Sequence, residues 1–254
     1  MGIVNVTPDS FSDGGQFFRP EEAVRRAKNL IADGADIIDL GGESTRPGAT
    51  PIGWEEEWGR IEPVLEGLAR LELLEKPKLS VDTYHPETAE KAIRAGADII
   101  NCVYPEPIPE MLKLLEGNDV ELVVPCRPNG TGFACQRPRG EDASGTVWGR
   151  VYLDPMIGFG TTREEDIELL RSIPELAKRG RVLVGASRKR IVKKLVGEKS
   201  AVGKNIGGNV AIAVWAAMNG ASVVRVHDVK ETVQALRVID ALGEGGRWKG
   251  EGER

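Results

Sequence analysis

The sequence predicts a (β/α)8 barrel, in which eight parallel strands alternate with helices. Eight short apolar runs recur along the chain, amphipathic stretches separate most of them, and a length of 254 residues suits eight such units. Because the runs are apolar on both faces, they are typical of parallel strands that helices cover on the outside. A doubly wound parallel sheet shares this periodicity and is the alternative at this point.

The predicted strands follow one another at the spacing of βα units. In chain order they read "GIVNV", "ADIIDLG", "KLSVDT", "ADIINCV", "VELVVP", "RVYLDP", "RVLVGAS" and "SVVRVHD". Stretches such as "EEAVRRAKNLIADGA" and "PETAEKAIRAGA" carry a helical apolar stripe between them. Gly34, Gly96 and Gly220 stand just before three of the strands, so they are predicted to be left-handed caps that end helices and have no chemical role.

Two segments depart from this pattern. Residues 125–150 read "PCRPNGTGFACQRPRGEDASGTVWGR" and have no helical stripe, so the fifth crossover helix is predicted to be irregular or missing. Residues 244–254 are rich in glycine and charge. They are predicted to form a disordered tail after a single barrel of residues 1–243.

The composition narrows the class of protein. Lys and Arg number 34 against 39 Asp and Glu, and the net charge of -5 argues against a surface that attracts nucleic acid or membranes in general. Any anionic ligand must therefore be held by a local cluster. Cys102, Cys126 and Cys135 lack the paired spacing of a zinc or redox site and are predicted to be buried or incidental thiols. With neither a long apolar run nor a secretory leader pattern, the protein is expected to be cytoplasmic.

Polar residues collect directly after the predicted strands, at positions that share one rim of a parallel barrel and form its active site. Any single Asp or Ser there is explained equally well as the cap of the next helix. Cations at the start of a helix oppose its dipole, so Arg188 and Lys189 favour a bound anion. The predicted rim includes Asn5, Thr45, Arg46, Asp82, Asn101, Asp154, Phe159, Ser187, Arg188, Lys189, Arg225 and His227.

The rim combines two kinds of chemistry. The carboxylates of Asp82 and Asp154 suit a flat heterocycle with adjacent N–H donors, which they engage through parallel hydrogen bonds. The cations Arg46, Lys189 and Arg225 suit phosphate or pyrophosphate. The inferred ligand is therefore a nitrogen heterocycle that carries phosphate, and metal ligation by the carboxylates is the competing interpretation.

Seven motifs, in this order, closely resemble the dihydropteroate synthase family: "MGIVNVTPDSFSDGG", "DLGGESTRPGA", "SVDT", "IIN", "LDPMIGFG", "VLVGASRKR" and "VRVHDV". The resemblance extends from Met1 to about Asp240, except for the fifth crossover. It implies a (β/α)8 barrel that condenses a hydroxymethyl-dihydropterin pyrophosphate with para-aminobenzoate, giving dihydropteroate and pyrophosphate. It also implies that Mg2+ assists the leaving group and that the protein is a homodimer.

The resemblance also implies the roles of individual residues. The pterin-binding positions are Asp82, Asn101, Asp154 and Lys189, with Phe159 in the motif that lines their pocket. The positions that hold pyrophosphate and magnesium are Asn5, Arg46, Arg225 and His227, with Asn5 as metal ligand, and catalysis is assigned to these four together with Lys189. The positions for para-aminobenzoate are Pro8, Phe11, Thr45, Arg46 and Pro47 in two mobile loops, and Ser187, Arg188 and Arg190 at the start of a helix.

Three departures from the family pattern stand out. Cys102 replaces a usual aspartate, Met156 replaces a usual glycine, and residues 125–150 replace the usual fifth crossover. They leave open a pterin-binding relative without catalytic activity and a pterin-dependent methyltransferase barrel. The "STRPG" and "GASRKR" stretches favour the synthase, because methyl transfer requires neither a pyrophosphate site nor a benzoate site.

Overall fold

The computed structural model describes residues 1–7, 19–44, 49–73, 75–127, 147–197 and 205–243, and it confirms the predicted barrel. Eight parallel strands pair in chain order, each with the next. Val226 closes the ring, because its N–H donates to the Met1 carbonyl at 2.9 Å and its carbonyl accepts from the Ile3 N–H at 3.1 Å. The strands are β1 (Gly2–Asn5), β2 (Ile37–Gly41), β3 (Lys78–Asp82), β4 (Ile99–Asn101), β5 (Glu121–Pro125), β6 (Val151–Asp154), β7 (Arg181–Val184) and β8 (Val223–Val224).

Helices cover the outside of the strands with their apolar faces. On the second helix, Ile61 and Leu65 are buried one turn apart, while Glu55 and Glu56 are exposed. The described helices are α1 (Pro20–Ala32), α2 (Trp54–Ala69), α3 (Pro86–Arg94), α4 (Ile108–Leu114), α5 (Arg163–Arg171), α6 (Ile173–Ala177), α7 (Arg190–Val196), α8 (Ile206–Met218) and α9 (Val229–Leu242).

The predicted glycine caps are confirmed. Gly34, Gly96 and Gly220 have φ angles of 97°, 94° and 95°, in the left-handed region that residues with a Cβ atom rarely adopt. Each of them turns the chain from the end of a helix towards the start of the next strand. The chain therefore passes from the helical layer into the sheet at the end of the barrel opposite the predicted rim.

Every second strand residue points into the barrel, so the interior is built in layers. A middle layer of apolar side chains packs as a cluster of its own: Met1, Ile37, Ile99, Val123, Tyr152 and Leu183. Lys78, Glu121 and Arg181 stand at the amino ends of their strands, on the floor side of this layer. The polar residues at the carboxyl ends stand on the other side, which we call the mouth.

The fifth crossover and the tail fall largely outside the described residues. Residues 128–146 and 244–254 are not among them, so the irregular crossover, the disordered tail and the domain boundary at residue 243 stay predictions. The described part of the crossover ends in a 3-10 turn, Val147–Arg150, directly before β6. Arg150 anchors this turn by donating to the Leu115 carbonyl at 2.8 Å.

Candidate active site

The mouth gathers the polar residues that end four strands. Asn5, Asp82, Asn101 and Asp154 are the last residues of β1, β3, β4 and β6. Asp82 pairs in register with Asn101 on one side and with Gly41 on the other. Because all the strands are parallel, the predicted site residues that the structure describes lie at one end of the molecule.

Asp82, Asp154 and Ser187 could each have been a simple helix cap, and the structure shows that they are not. Helices α3, α5 and α7 are capped by His85, Thr162 and Lys189 instead of Asp82, Asp154 and Ser187. Thr162 makes a complete capping box with Glu165. The side chains of the two aspartates are therefore available to the mouth.

Arg225 is the centre of the mouth. Its Nε donates to Asp39 Oδ2 at 2.6 Å and its Nη2 donates to Asp82 Oδ2 at 2.5 Å. Asp39 is fully buried and also accepts from Ser80 Oγ at 2.5 Å and from Asn101 Nδ2 at 3.4 Å. One guanidinium group thus joins β2, β3 and β8.

Asp39 is a site residue that the motif analysis missed. It lies in the middle of β2 within the apolar run "ADIIDLG", where attention to strand ends does not reach. The alternation of side chains along a strand could have revealed it. Gly41 lies at the rim, and Asp39, two positions earlier, faces the same side of the sheet. An acid inside an otherwise apolar strand requires a buried cation, and Arg225 is that cation.

Burial shifts the ionisation of these groups. It raises the pKa of Asp82 to about 7, against the opposing effect of Arg225, while Asp39 and Glu57 raise it further. Burial would lower the pKa of Arg225, but the charges of Asp39 and Asp82 outweigh it and raise that pKa overall. Arg225 therefore remains a permanent positive charge beneath the mouth.

Lys189 and Asp154 form the second half of the mouth. Lys189 Nζ donates to the Ile157 carbonyl at 2.7 Å and lies 4.4 Å from the centre of the Phe159 ring. Burial lowers the pKa of Lys189 to about 8, although Asp154 acts to raise it. Burial also raises the pKa of Asp154, whose Oδ1 accepts from the Met156 N–H at 2.7 Å.

A tight turn after β6 presents Phe159 to Lys189. Gly158 has φ 79°, and a Cβ atom there would lie 3.0 Å from Lys189 Cδ, so glycine lets the lysine side chain pass. The Gly158 N–H donates to Asp166 Oδ1 at 2.7 Å, and Thr161 Oγ1 donates to the same oxygen at 2.5 Å. The buried Asp166 therefore fixes this turn from helix α5, a role that motif analysis did not assign.

Ser187 and His227 lie beside each other at the ends of β7 and β8. Ser187 Oγ accepts from the His227 N–H at 3.2 Å and lies 3.1 Å from His227 Nδ1. His227 lies two positions after Arg225, as predicted for side chains on one strand face. The serine is therefore a neighbour of the histidine, and it is not a helix cap.

Arg188 and Arg190 flank the start of α7, and both are already engaged. Arg188 has φ 59° and donates to Asp228 Oδ1 at 2.5 Å, while its N–H donates to Asn209 Oδ1 at 2.9 Å. Arg190 donates to the Thr161 carbonyl. A cavity of about 170 Å³ opens here, lined by Arg188, Lys189, Arg190, Val192, Lys193, Asn205 and Asn209. The cations that the sequence predicts to bind an anion thus line one cavity, although Arg188 is also paired with Asp228.

Several predicted residues fall outside the described part of the chain: Pro8, Phe11, Thr45, Arg46 and Pro47. The two departures beside the mouth are described. Cys102 is buried, and its Sγ donates to the Tyr104 carbonyl at 3.3 Å. Met156 has φ 65°, a conformation that glycine would adopt without strain. Asn101 and Asp154 stand at the ends of β4 and β6, close to these two departures in the chain.

The described residues contain no group of three His, Cys, Asp or Glu side chains that could hold a metal ion by themselves. Asn5 Oδ1 lies 3.9 Å from the point where a Cβ atom of Gly41 would stand, which places this oxygen at the mouth. Mg2+ commonly binds through one or two protein oxygens together with substrate phosphates and water. An amide oxygen at the rim fits that pattern.

Known proteins match nearly the whole chain. The family described as pterin binding enzyme matches residues 1–227. A dihydropteroate synthase from Staphylococcus haemolyticus is 37% identical over 96% of this chain and 94% of its own.

Solved structures agree with this match. A dihydropteroate synthase from Xanthomonas albilineans with 4-aminobenzoic acid has a TM-score of 0.81 and 38% identity, covering 95% of this chain and 91% of its own. The same enzyme with 7,8-dihydropteroate has a TM-score of 0.75 and 34% identity, covering 95% of this chain and 92% of its own. The chain therefore belongs to the pterin binding enzymes and, among them, to the dihydropteroate synthase family.

Proposed function

We propose that the protein condenses 6-hydroxymethyl-7,8-dihydropterin pyrophosphate with para-aminobenzoate, giving 7,8-dihydropteroate and pyrophosphate in folate biosynthesis. One observation carries the proposal: Asp82, Asp154, Lys189 and Arg225 meet at a single mouth. The family membership and the ligands of the Xanthomonas albilineans relative support the same reaction.

The acid side of the mouth binds the pterin ring. Asp82 and Asp154 accept hydrogen bonds from the ring N–H groups, which form pairs that match a carboxylate. Asn101 is 1% exposed, and its Oδ1 has no hydrogen-bond partner among the described residues. A buried acceptor without a partner costs free energy, so a donor on the ring stabilises it. Lys189 and Phe159 then enclose the ring from the β6 and β7 side.

The cationic side stabilises the leaving group. Breaking the bond between the pterin methylene and oxygen leaves a cation that the ring stabilises, and the negative charge moves to pyrophosphate. In this proposal Arg225 and His227 stabilise this charge, and removing such a group typically costs on the order of a hundredfold in rate. The aniline-type amine is unprotonated near neutral pH, so no general base has to activate it. The protein's task is to hold that nitrogen in line.

Asn5 is the residue that would hold Mg2+, as its rim oxygen fits the ion's preference. When bound, Mg2+ supplies positive charge to the pyrophosphate oxygens. Arg46 completes the phosphate site in this proposal, from the segment after β2.

The cavity at the start of α7 receives para-aminobenzoate. Its carboxylate is attracted by the cations that line the cavity, Arg190 among them, and Ser187 directly precedes Arg188 of this lining. The segments that contain Pro8, Phe11, Thr45 and Pro47 then cover the ring. Closing them after the pterin has bound assembles the second site in the correct order.

The test is pyrophosphate release by the purified protein with both substrates and Mg2+. A synthase releases pyrophosphate together with dihydropteroate and requires para-aminobenzoate. Binding of the pterin without release would support the non-catalytic relative. Methyl transfer from a methylated pterin to a corrinoid protein would support the methyltransferase. Either of those outcomes would overturn the synthase proposal.

We also propose that the protein is a cytoplasmic homodimer. Helices α8 and α9 pack against each other and expose large apolar side chains: Trp215 is 49% exposed, Met218 67%, Val238 57% and Leu242 77%. Exposed apolar side chains on two packed helices suit a contact with a second copy of the chain. The described helices include none long and apolar enough to span a membrane. Sedimentation of the wild type against Trp215→Lys measures the dimer, which the charge should dissociate.

A further inference from the structure

Glu57 is a buried acid in α2, outside the mouth. Its side chain is 0% exposed, whereas its neighbours Glu55 and Glu56 face solvent. It lies on the apolar stripe of the helix, one turn before Ile61. Burying a carboxyl group costs free energy unless its polar contacts compensate, so an apolar residue would serve the packing of α2 better. Packing alone therefore does not account for an acid at this position.

The contacts of Glu57 lead to strand β3. Thr83 Oγ1 donates to Glu57 Oε2 at 2.6 Å, and the same hydroxyl accepts from the His85 N–H at 3.0 Å. Thr83 is 2% exposed and directly follows Asp82. Its N–H donates to the Asn101 carbonyl at 3.1 Å, which continues the pairing of β3 with β4. The carboxyl group of Glu57 thus holds the chain one residue beyond the pterin-binding acid.

Glu57 also supports the chain on the other side of Asp82. A Cβ atom on Gly42 would lie 2.9 Å from Glu57 Cγ and 2.9 Å from the Glu57 carbonyl oxygen, so the backbone after β2 lies directly against this residue. Arg60, one turn further along α2, donates to the Gly42 carbonyl at 2.8 Å. Gly41 pairs with Asp82, and a Cβ atom on Gly41 would lie 3.7 Å from Asp82 Cβ.

One end of the Glu57 carboxyl group is left unsatisfied. Oε1 has no hydrogen-bond partner among the described residues, and neither has the hydroxyl of Thr88, which faces the carboxyl group from α3. Burial raises the pKa of Glu57; the hydroxyl groups of Thr83 and Thr88 and the charge of His85 oppose this, and Glu43 adds to it. An incompletely satisfied acid lowers stability, and selection retains such residues where function requires them.

We propose that Glu57 is a positioning residue that sets the place of Asp82 through Thr83 and Gly42. It does not touch the substrate. The inference rests on the proposed function, because the ligand that Asp82 meets is the pterin ring. Replacing Glu57 should therefore change the affinity for the pterin and leave the para-aminobenzoate site, at the start of α7, unchanged.

The test compares Glu57→Leu and Thr83→Val with the wild type, using calorimetric binding of 6-hydroxymethylpterin and steady-state kinetics. Both variants remove the hydrogen bond between Glu57 and Thr83, and Thr83→Val also removes the acceptor of the His85 N–H. We expect roughly tenfold weaker pterin binding, below the hundredfold that a displacement of about 1 Å costs, and a matching rise in the KM for the pterin pyrophosphate. The KM for para-aminobenzoate stays unchanged. The Tm of Glu57→Leu stays level or rises, because a buried acid gives way to an apolar side chain.

Two further variants separate positioning from general damage. Glu57→Gln keeps an oxygen for Thr83 and turns its amide towards Thr88, so it restores pterin binding to near the wild-type value. Glu55→Leu, on the exposed face of the same helix, changes neither affinity nor KM. The double variant Glu57→Leu/Thr83→Val binds pterin no more weakly than either single variant, because both remove one interaction.

The outcomes distinguish the inference from the proposed function. If the wild type binds 6-hydroxymethylpterin and both single variants bind it equally well, the inference fails and the proposed function stands. If affinity falls only together with Tm, or if Glu57→Gln gives no rescue, Glu57 is structural and the inference again fails. A wild type that binds no pterin overturns the proposed function and the inference with it.

Discussion

Two clusters of charged side chains lie inside the barrel, one at the floor and one at the mouth, with the apolar layer between them. At the floor, Glu121 accepts from Lys78 at 2.7 Å and from Arg181 at 2.5 Å. At the mouth, Arg225 donates to Asp39 and Asp82 at 2.6 and 2.5 Å. Since these distances are alike, contact geometry does not distinguish a structural cluster from a functional one.

The floor cluster stabilises the charged form of its acid. Its one acid has two cations, and the ring of Tyr152 lies 4.0 Å from the Arg181 guanidinium group. Burial alone would raise the pKa of Glu121, but hydrogen bonds from Lys78 and Arg181 outweigh it and leave that pKa below its ordinary value. The folded state therefore favours the charged form, and the cluster stabilises the fold.

The mouth cluster has the opposite effect on its acids. Three acids, Asp39, Asp82 and Asp154, face the two cations Arg225 and Lys189. Burial raises the pKa of Asp82 to about 7 and lowers that of Lys189 to about 8. Buried groups whose surroundings oppose their charged forms to this extent are typical of a site that binds a ligand. The difference between the two ends lies in the direction of the pKa shift, because the floor lowers the pKa of its acid and the mouth raises the pKa of Asp82 and Asp154.

The largest effect is expected from a matched pair of arginine variants. Arg225→Ala leaves Asp39 and Asp82 as uncompensated buried acids and removes the charge that we propose stabilises the leaving group. We expect kcat/KM to fall by at least about a hundredfold. Steady-state pyrophosphate release measures it, with circular dichroism to confirm that the variant is folded.

Arg181→Ala is the control at the floor. It leaves Glu121 with Lys78, so we expect a lower Tm and a kcat/KM within about threefold of the wild type, because the fold but not the site depends on it. Comparable losses of turnover in the two variants would remove the distinction between floor and mouth.

A smaller effect, dependent on pH, is expected for Glu121→Gln. The folded pKa of Glu121 lies below its ordinary value of 4.5, so its contribution to stability is present above that value and is lost as pH falls through the folded pKa. At neutral pH the variant should melt about 2–4 °C below the wild type, the shift that about 1 kcal/mol produces in a protein of this size. The difference should shrink below pH 4.5. A difference that grew in acid would show that the carboxylate does not stabilise the floor.

Much of the fold and of the mouth could be predicted from the sequence because strand ends carry visible signals. Asp82, Asn101 and Asp154 each close an apolar run, and the parallel topology then brings them together. The glycine caps were predictable for a similar reason, since only glycine adopts their φ angles readily. These signals are local in the chain, and the fold adds only their common location.

The residues that the sequence did not reveal depend on contacts between distant elements. Asp39 and Arg225 are far apart in the chain and meet only when β8 closes the barrel. Glu57 is one of three successive acids, and the spacing to Ile61 was the one indication that it faces inward. Only burial distinguishes Glu57 from the other two acids. That burial depends on the residues after β2 and β3, Gly42 and Thr83, which contact the helix.

The smallest effects on turnover are expected at two glycine caps on the floor side. Gly96→Ala and Gly220→Ala each force alanine into a φ near 95°, at a cost of about 1–2 kcal/mol. A Cβ atom on Gly220 would also lie 2.9 Å from Ala177 Cβ, whereas nothing lies within 4 Å of one on Gly96. Gly220→Ala should therefore have the lower Tm in thermal unfolding. Because both caps lie away from the mouth, the kcat/KM of the folded variants should match that of the wild type. Loss of turnover in either variant at a temperature where it remains folded would mean that the floor also controls the active site.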